Sequence, residues 1–217
     1  MNDQTKLFLE ELKNRKDVVG VILFGSWARG NNRPNSDVDL VVILDEGYQR
    51  CVENKNGQIF EIIYTTEKGA FDFWESNKDD AYGLWSVAKI LYDRDGKIQE
   101  LKERITDVLN IGKKEINDLQ LEQFRFDAVD LTGYVEEIMD LDLLTAKLLI
   151  FNKVFTLTEM FFDIRQIWTP APKQRLLKIK ETSPAFYNLL EAFYSENATL
   201  TDKIKTVRQI IPIVFEK

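Results

Sequence analysis

Leu23-Phe-Gly-Ser-Trp-Ala-Arg-Gly30, the loop Asn31-Asn-Arg-Pro-Asn35, and Ser36-Asp-Val-Asp-Leu-Val-Val42 form the stretch on which the reading of this 217-residue chain turns. Val18 to Phe24 is apolar and β-branched. Asp37 to Leu44 opens as alternating Asp-Val-Asp-Leu and continues apolar, and residues 25–36 between them are rich in Gly, Asn, Pro and Ser. Apolar runs bounded by turn residues predict two buried strands joined by a loop. Successive side chains of a strand alternate in direction, so Asp37 and Asp39 are expected on one face while Val38 and Leu40 enter the core. Two carboxylates placed in this way suit a hard cation such as Mg²⁺. Gly25 and Ser26 end the first strand, where glycine lets the backbone approach a ligand and exposed N–H groups with a hydroxyl can hold phosphate oxygens. A third strand is predicted over Gln58 to Thr66. Its Glu61 stands in Ile59-Phe-Glu-Ile-Ile63, where a lone acid would be costly to bury, and a third carboxylate beside the pair is the simplest explanation.

Working outward, an opening helix is expected with Asp3 as its cap and Leu7, Phe8, Glu11 and Leu12 at helical spacing. Asn54-Lys-Asn-Gly57 has hairpin-turn composition and leads into the third strand. A helix at about Gly69 to Asn77, a mixed segment ending in Ile90-Leu-Tyr92, and the turn Asp93-Arg-Asp-Gly96 complete the first half. From Ile98 onward the pattern is helical only. Phe124, Ala128, Leu131, Val135 and Ile138 recur at intervals of three and four, an amphipathic stripe. Leu143 to Phe162 is more uniformly apolar, as befits the central helix of a bundle. Pro170 and Pro172 end that stretch before another helix, and two more follow at about 184–194 and 200–211. The expected fold class is α+β: a small mixed-sheet domain over 1–108, then an all-α helical bundle over 109–217. The length permits two such cores.

Composition removes whole classes of chemistry. The chain has no histidine, so histidine bases, Ser-His-Asp and Cys-His nucleophiles and histidine-ligated metals are excluded. Cys51 is the only cysteine, which excludes an internal disulfide and multi-cysteine metal sites. Catalysis must run on carboxylates, Lys, Arg, Tyr, Ser or Thr. With 29 Lys and Arg against 36 Asp and Glu, the net charge is −7, which argues against a nucleic-acid coat and favours a cationic partner. The run Val18 to Phe24, interrupted by Gly20, falls far short of the roughly 20 apolar residues a membrane span needs. The first residues show no secretory pattern, so the cytoplasm is the expected compartment.

The spacing Gly-Ser, ten residues, then Asp-x-Asp resembles the signature of the nucleotidyltransferase superfamily of the DNA polymerase β type. Glu61 in place of a third aspartate, Ala88-Lys-Ile-Leu-Tyr-Asp93 and the helical second half are similar to the bacterial aminoglycoside-type antibiotic nucleotidyltransferases. The likeness to the catalytic domain covers about 18–108, and Pro170-Ala-Pro-Lys173 is a local echo in the remainder. Trp27 departs from the related motif, which often has Arg there, and is expected to pack; Arg29 and Gly30 fit. The resemblance implies that Asp37, Asp39 and Glu61 hold two Mg²⁺ ions and that Gly25, Ser26, Arg29 and Ser36 contact a nucleoside triphosphate. It further implies transfer of a nucleoside monophosphate, with ATP or another NTP as donor, to a hydroxyl, releasing pyrophosphate. The implied acceptor is a small, hydroxyl-rich, cationic molecule such as an aminoglycoside, which would make the activity one of antibiotic resistance. Two rivals stand beside it: a protein adenylyltransferase of the antitoxin type, which commonly resembles a minimal domain, and a non-catalytic nucleotide-binding module, which the intact acids oppose.

The second half also carries a charge asymmetry. Glu115 to Asp142 holds nine acids against one base, Arg125, and Arg165 to Lys180 holds five bases and no acid. Most belong to solvated helix faces. An acidic wall closing over the metal site would suit a cationic acceptor, and Lys173 would reach the triphosphate. Asp127, Asp130 and Glu137 lie off the apolar stripe, and one of the three is expected to act as general base.

Overall fold

The apolar runs of the quoted stretch become β1 (Val18–Phe24) and β2 (Val38–Leu44) in a computed structural model that describes residues 3–216, with side chains from Thr5. They join β3 (Gln49–Lys55), β4 (Gln58–Thr66) and β5 (Lys89–Asp93) in one sheet of order β3-β4-β2-β1-β5. β2 pairs antiparallel with β1 and parallel with β4, which makes the sheet mixed. Helices cover both faces. α1 (Asp3–Lys13) lays Phe8, Leu9 and Leu12 against Leu40, Phe60 and Ile62, with the Phe8 and Phe60 ring centroids 4.6 Å apart. On the other face Ile22, Val41 and Ile43 meet Trp74 of α3 (Glu67–Ser76), Trp85 of α4 (Lys78–Trp85) and Ile98 of α5 (Lys97–Asn110). Burial on both sides explains why β1 and β2 read as continuous apolar runs. It also pins the register, because a slip of one residue would drive Asp39 into the core and an apolar side chain into its place. Each fully buried Leu, Ile or Phe is worth about 1.5–3 kcal/mol over exposure.

Besides a short helix over residues 25–29, where only loop was expected, three elements differ from expectation. β2 begins at Val38, so Asp37 sits in the loop just ahead of the strand. The segment expected to be mixed contains α4. β3 is the third: Gln49-Arg-Cys-Val-Glu-Asn-Lys55 has no apolar alternation because it is an edge strand, with Gln49, Arg50, Val52 and Asn54 exposed. The hairpin that joins it to β4 turns at Asn56 and Gly57, whose φ values of 52° and 89° are both positive, as a type I′ turn demands. That turn sets the register Lys55↔Gln58 and Val52↔Glu61. The side chain of Asp3, expected as a cap, lies outside the described residues.

The chain divides into two compact units, one ending at Ile111 and the other beginning at Gly112. The second is all helical: α6 (Asp118–Ile138), α7 (Leu143–Ile164), α8 (Pro172–Thr182), α9 (Pro184–Tyr194) and α10 (Leu200–Phe215). α7 is its central helix, burying Ala146, Ile150, Val154, Leu157, Phe161 and Ile164 at helical spacing. Of the expected α6 stripe, Ala128 and Val135 are buried while Phe124 is exposed; Leu121, one heptad before Ala128, packs on the core instead. No helix among the described residues is long and apolar enough to cross a membrane.

Candidate active site

Parallel pairing of β2 with β4 sets Asp39 directly beside Glu61, on the sheet face that also carries Val41, Ile43 and Ile63. Antiparallel pairing of β1 with β2 sets Phe24 beside Asp39, so the chain turns at Gly25 next to the same strand end. Asp37 precedes the strand. Asp37, Asp39 and Glu61 each offer a carboxylate oxygen, and these oxygens lie within 4.8 Å of one another. Asp37 is exposed and the other two are partly buried. Three carboxylates this close repel one another, and that repulsion is relieved by a cation. The donor set, all oxygen and all anionic, fits Mg²⁺, Mn²⁺ or Ca²⁺ and not a metal that prefers nitrogen or sulfur.

Gly25 is needed here twice over. Its φ is +68°, and a Cβ built on it would lie 1.8 Å from Oδ2 of Asp39. It opens α2 (Gly25–Arg29), in which Ser26 is partly buried and Arg29 exposed. The loop that follows is tied down at Ser36. The Ser36 hydroxyl oxygen accepts from the backbone N–H of Arg33 at 2.8 Å, and its carbonyl accepts from Trp27 Nε1 at 3.3 Å and Gln58 Nε2 at 3.1 Å. Ser36 therefore links α2 to β4 and holds Asp37 at the strand entrance. Trp27 packs against the core beneath α1.

One charged residue in this region is absent from the sequence reading. Arg50 of β3 lies on the same sheet face as Glu61, two residues from Val52, which is its direct partner. The Arg50 guanidinium forms an ion pair with Oε1 of Glu61, donating from Nη2 and, at 3.2 Å, from Nε. The carboxylate in turn raises the pKa of Arg50 above the ordinary arginine value. The signal for this contact was the Asn56-Gly57 turn. Its register, counted back from a two-residue hairpin, places residue 52 opposite 61 and residue 50 diagonal to it.

Asp127, Asp130 and Glu137 are all exposed on α6 of the second unit. At 1.5 Å rise per residue, Asp127 and Glu137 are about 15 Å apart along the axis, so the three acids do not converge, although Asp127 and Asp130, three residues apart, are neighbours on the helix surface. Asp127 accepts from Gln123 Nε2 at 2.8 Å. Desolvation lowers the pKa of half-buried Lys153, with Asp127 opposing the shift. Lys173 is exposed in the first turn of α8. Four of the five bases between 165 and 180 have partners among the described residues: Lys178 pairs with Glu181 at 3.4 Å and Lys180 Nζ lies 4.7 Å from the Tyr187 ring centroid. Arg165 donates to the carbonyls of Ile213 at 2.8 Å and Val214 at 3.0 Å, closing the end of α10, and Arg175 pairs with Glu159 at 3.3 Å.

Comparison with known proteins agrees with this geometry. The model of the family described as "Nucleotidyltransferase domain" matches residues 5–131. A proposed protein adenylyltransferase of Methanocaldococcus jannaschii is 29% identical over 122 residues, covering 50% of this chain and 83% of that protein. Among solved structures, a nucleotidyltransferase-like protein from Exiguobacterium sibiricum superposes with a TM-score of 0.51 at 13% identity, over 98% of this chain and 73% of that one. Spectinomycin adenyltransferase AAD(9) from Enterococcus faecialis aligns over 99% of this chain and 98% of its own, at 15% identity and a TM-score of 0.38, a likeness too slight to support an argument.

Proposed function

The chain belongs to the nucleotidyltransferase domain family, and from that premise we propose that it moves AMP from ATP onto an acceptor hydroxyl and releases pyrophosphate. The observation that carries this reading is the convergence of Asp37, Asp39 and Glu61 within 4.8 Å beside the turn at Gly25. Those three acids would hold two Mg²⁺ ions, which when bound neutralise phosphate charge and lower the pKa of the attacking hydroxyl. The rest falls to the chain. Backbone N–H groups at Gly25 and Ser26, the Ser26 hydroxyl and the Arg29 guanidinium offer the triphosphate its donors, and Ser36 keeps the loop in place for them. The acceptor oxygen bonds to the α-phosphorus, the bond from that phosphorus to the bridging oxygen breaks, and the acceptor proton passes to a base. A cytoplasmic site of action fits an ATP donor.

Acceptor recognition is assigned to the second unit, with Asp127, Asp130 and Glu137 as the candidate residues and one of them as the candidate general base, while Lys173 is the candidate for a triphosphate contact. The nine acids between Glu115 and Asp142 favour a small, hydroxyl-rich cation of the aminoglycoside kind, since a field of one sign concentrates ligands of the other. A protein hydroxyl is the second reading, and the Methanocaldococcus jannaschii relative supports it. Against it, 122 residues make up 83% of that relative but only half of this chain, so the relative has little room for a second unit of this size.

The test is a label-transfer screen with each nucleoside triphosphate, Mg²⁺, a panel of aminoglycosides and lincosamides, and lysate protein. Label on a small molecule supports the first reading and label on a protein band the second. Label on neither, with all four nucleotides, overturns the transfer reaction.

A further inference from the structure

The ion pair between Arg50 and Glu61 has no part in the transfer chemistry as described. We propose that Arg50 is a built-in counter-ion of the metal site: its guanidinium pairs with Glu61 and competes with a divalent cation for that carboxylate, so that Arg50 sets the affinity of the site for the cation. The inference rests on the reading of Asp37, Asp39 and Glu61 as the metal ligands.

Three observations carry it. Both donors of Arg50, Nη2 and Nε, are directed at one oxygen, Oε1 of Glu61, and Glu61 is one of the three acids whose oxygens converge. A cation bound through Glu61 would therefore stand one carboxylate away from a guanidinium, and like charges at that separation repel. The partners also differ in freedom: the Arg50 side chain is 64% exposed on an edge strand, whereas that of Glu61 is 29% exposed. Arginine is thus the partner able to swing into solvent, leaving the carboxylate where the strand pairing puts it beside Asp39. Charge balance points the same way. The guanidinium offsets part of the negative charge that the converging carboxylates concentrate there.

An arginine with a purely structural role would orient Glu61, and its loss would weaken cation binding. A competing counter-ion predicts the reverse. The experiment is a titration with Mn²⁺, followed by electron paramagnetic resonance and calorimetry without nucleotide, on the 217-residue parent chain and five variants. Arg50→Gln should bind Mn²⁺ about 3- to 10-fold more tightly than the parent. Arg50→Lys, which keeps the charge, should stay within about twofold. Glu61→Gln should bind more weakly, and adding Arg50→Gln to it should change nothing further, because the carboxylate through which the two compete is gone. Asp39→Asn serves as the reference for the site. If the parent binds Mn²⁺, Asp39→Asn loses it, and Arg50→Gln binds equally or more weakly than the parent, the counter-ion proposal alone is overturned. A parent that does not bind Mn²⁺, or an Asp39→Asn variant that binds as the parent does, overturns the metal-site reading and this proposal with it.

Discussion

Two groups of three acids stand in this molecule, one in each unit, and the fold treats them differently. Asp37, Asp39 and Glu61 are up to 24 positions apart in the chain yet bring their oxygens within 4.8 Å of one another. Asp127, Asp130 and Glu137 are at most ten positions apart, but on a single helix they are spread over about 15 Å. Paired strands collect residues from distant segments at one level, since neighbouring strands run only about 5 Å apart. A helix strings its acids along an axis, where Gln123 donates to Asp127. Close like charges signal a ligand, and dispersed ones signal a field.

The largest expected effect tests that contrast directly. Asp37→Asn and Asp39→Asn should each lower nucleotidyl transfer by about 10³-fold, the scale of losing metal-borne charge stabilisation. Melting temperature should stay near that of the parent, because removing one of three mutually repelling charges does not weaken the core. Turnover within tenfold of the parent in either variant would break the comparison by showing that the converging acids are not where the reaction occurs.

Gly25→Ala comes next, since it attacks convergence without touching an acid. Alanine at φ +68° is strained, and its Cβ would collide with the Asp39 carboxylate. A loss of about 1–2 kcal/mol in urea-unfolding stability is expected, together with a fall in transfer of about 10²-fold from the displaced ligand. Full activity in a destabilised protein would mean that Asp39 can shift without harm.

The second group should give a gentler signature. Of Asp127→Asn, Asp130→Asn and Glu137→Gln, the one that removes the general base should lower turnover by about 10²-fold, and the other two should raise KM for a polycationic acceptor by at most about tenfold, with triphosphate affinity unchanged and an effect that fades as salt shortens the Debye length below about 10 Å. Steady-state kinetics at low and high salt check this. Should all three variants match the parent with every cationic acceptor, the acids of α6 are a solvated face and a neutral molecule or a protein becomes the better acceptor.

The smallest effect lies away from both groups. Burial, and after it Glu53, pushes the Tyr64 pKa from 10.0 up to about 12. Because the unfolded chain releases this proton near the ordinary value while the folded one retains it, the stabilisation is fully present below about pH 10 and is lost as the pH rises toward about 12. Urea melts across that range, with phenolate absorbance as the monitor, should show a shallower decline in Tyr64→Phe. What remains would include Tyr194 of the second unit, whose pKa burial also raises. An unchanged slope would remove Tyr64 from the alkaline response.

Much of this was legible in the amino-acid order alone, for a local reason. A strand buried on both faces is apolar throughout, so Val18–Phe24, Val38–Leu44 and the body of Gln58–Thr66 announce themselves. A polar Gly-Ser turn and an Asp-x-Asp entrance between such runs stand out as groups able to do chemistry. The helix-only second half follows from its three- and four-residue periodicity. Sequence pattern is silent wherever the deciding neighbour is distant in the chain or is solvent. β3 faces water along an edge and so carries no apolar signature, which hid Arg50. That Asp39 lies beside Glu61 rests on parallel pairing of β2 with β4, a register imposed by the packing of α1 on one face and of α3, α4 and α5 on the other. Local periodicity measures how a segment meets its own surroundings. Only tertiary packing chooses which segments become those surroundings, and in this protein that choice turned three separate acids into one site and gave one of them an arginine.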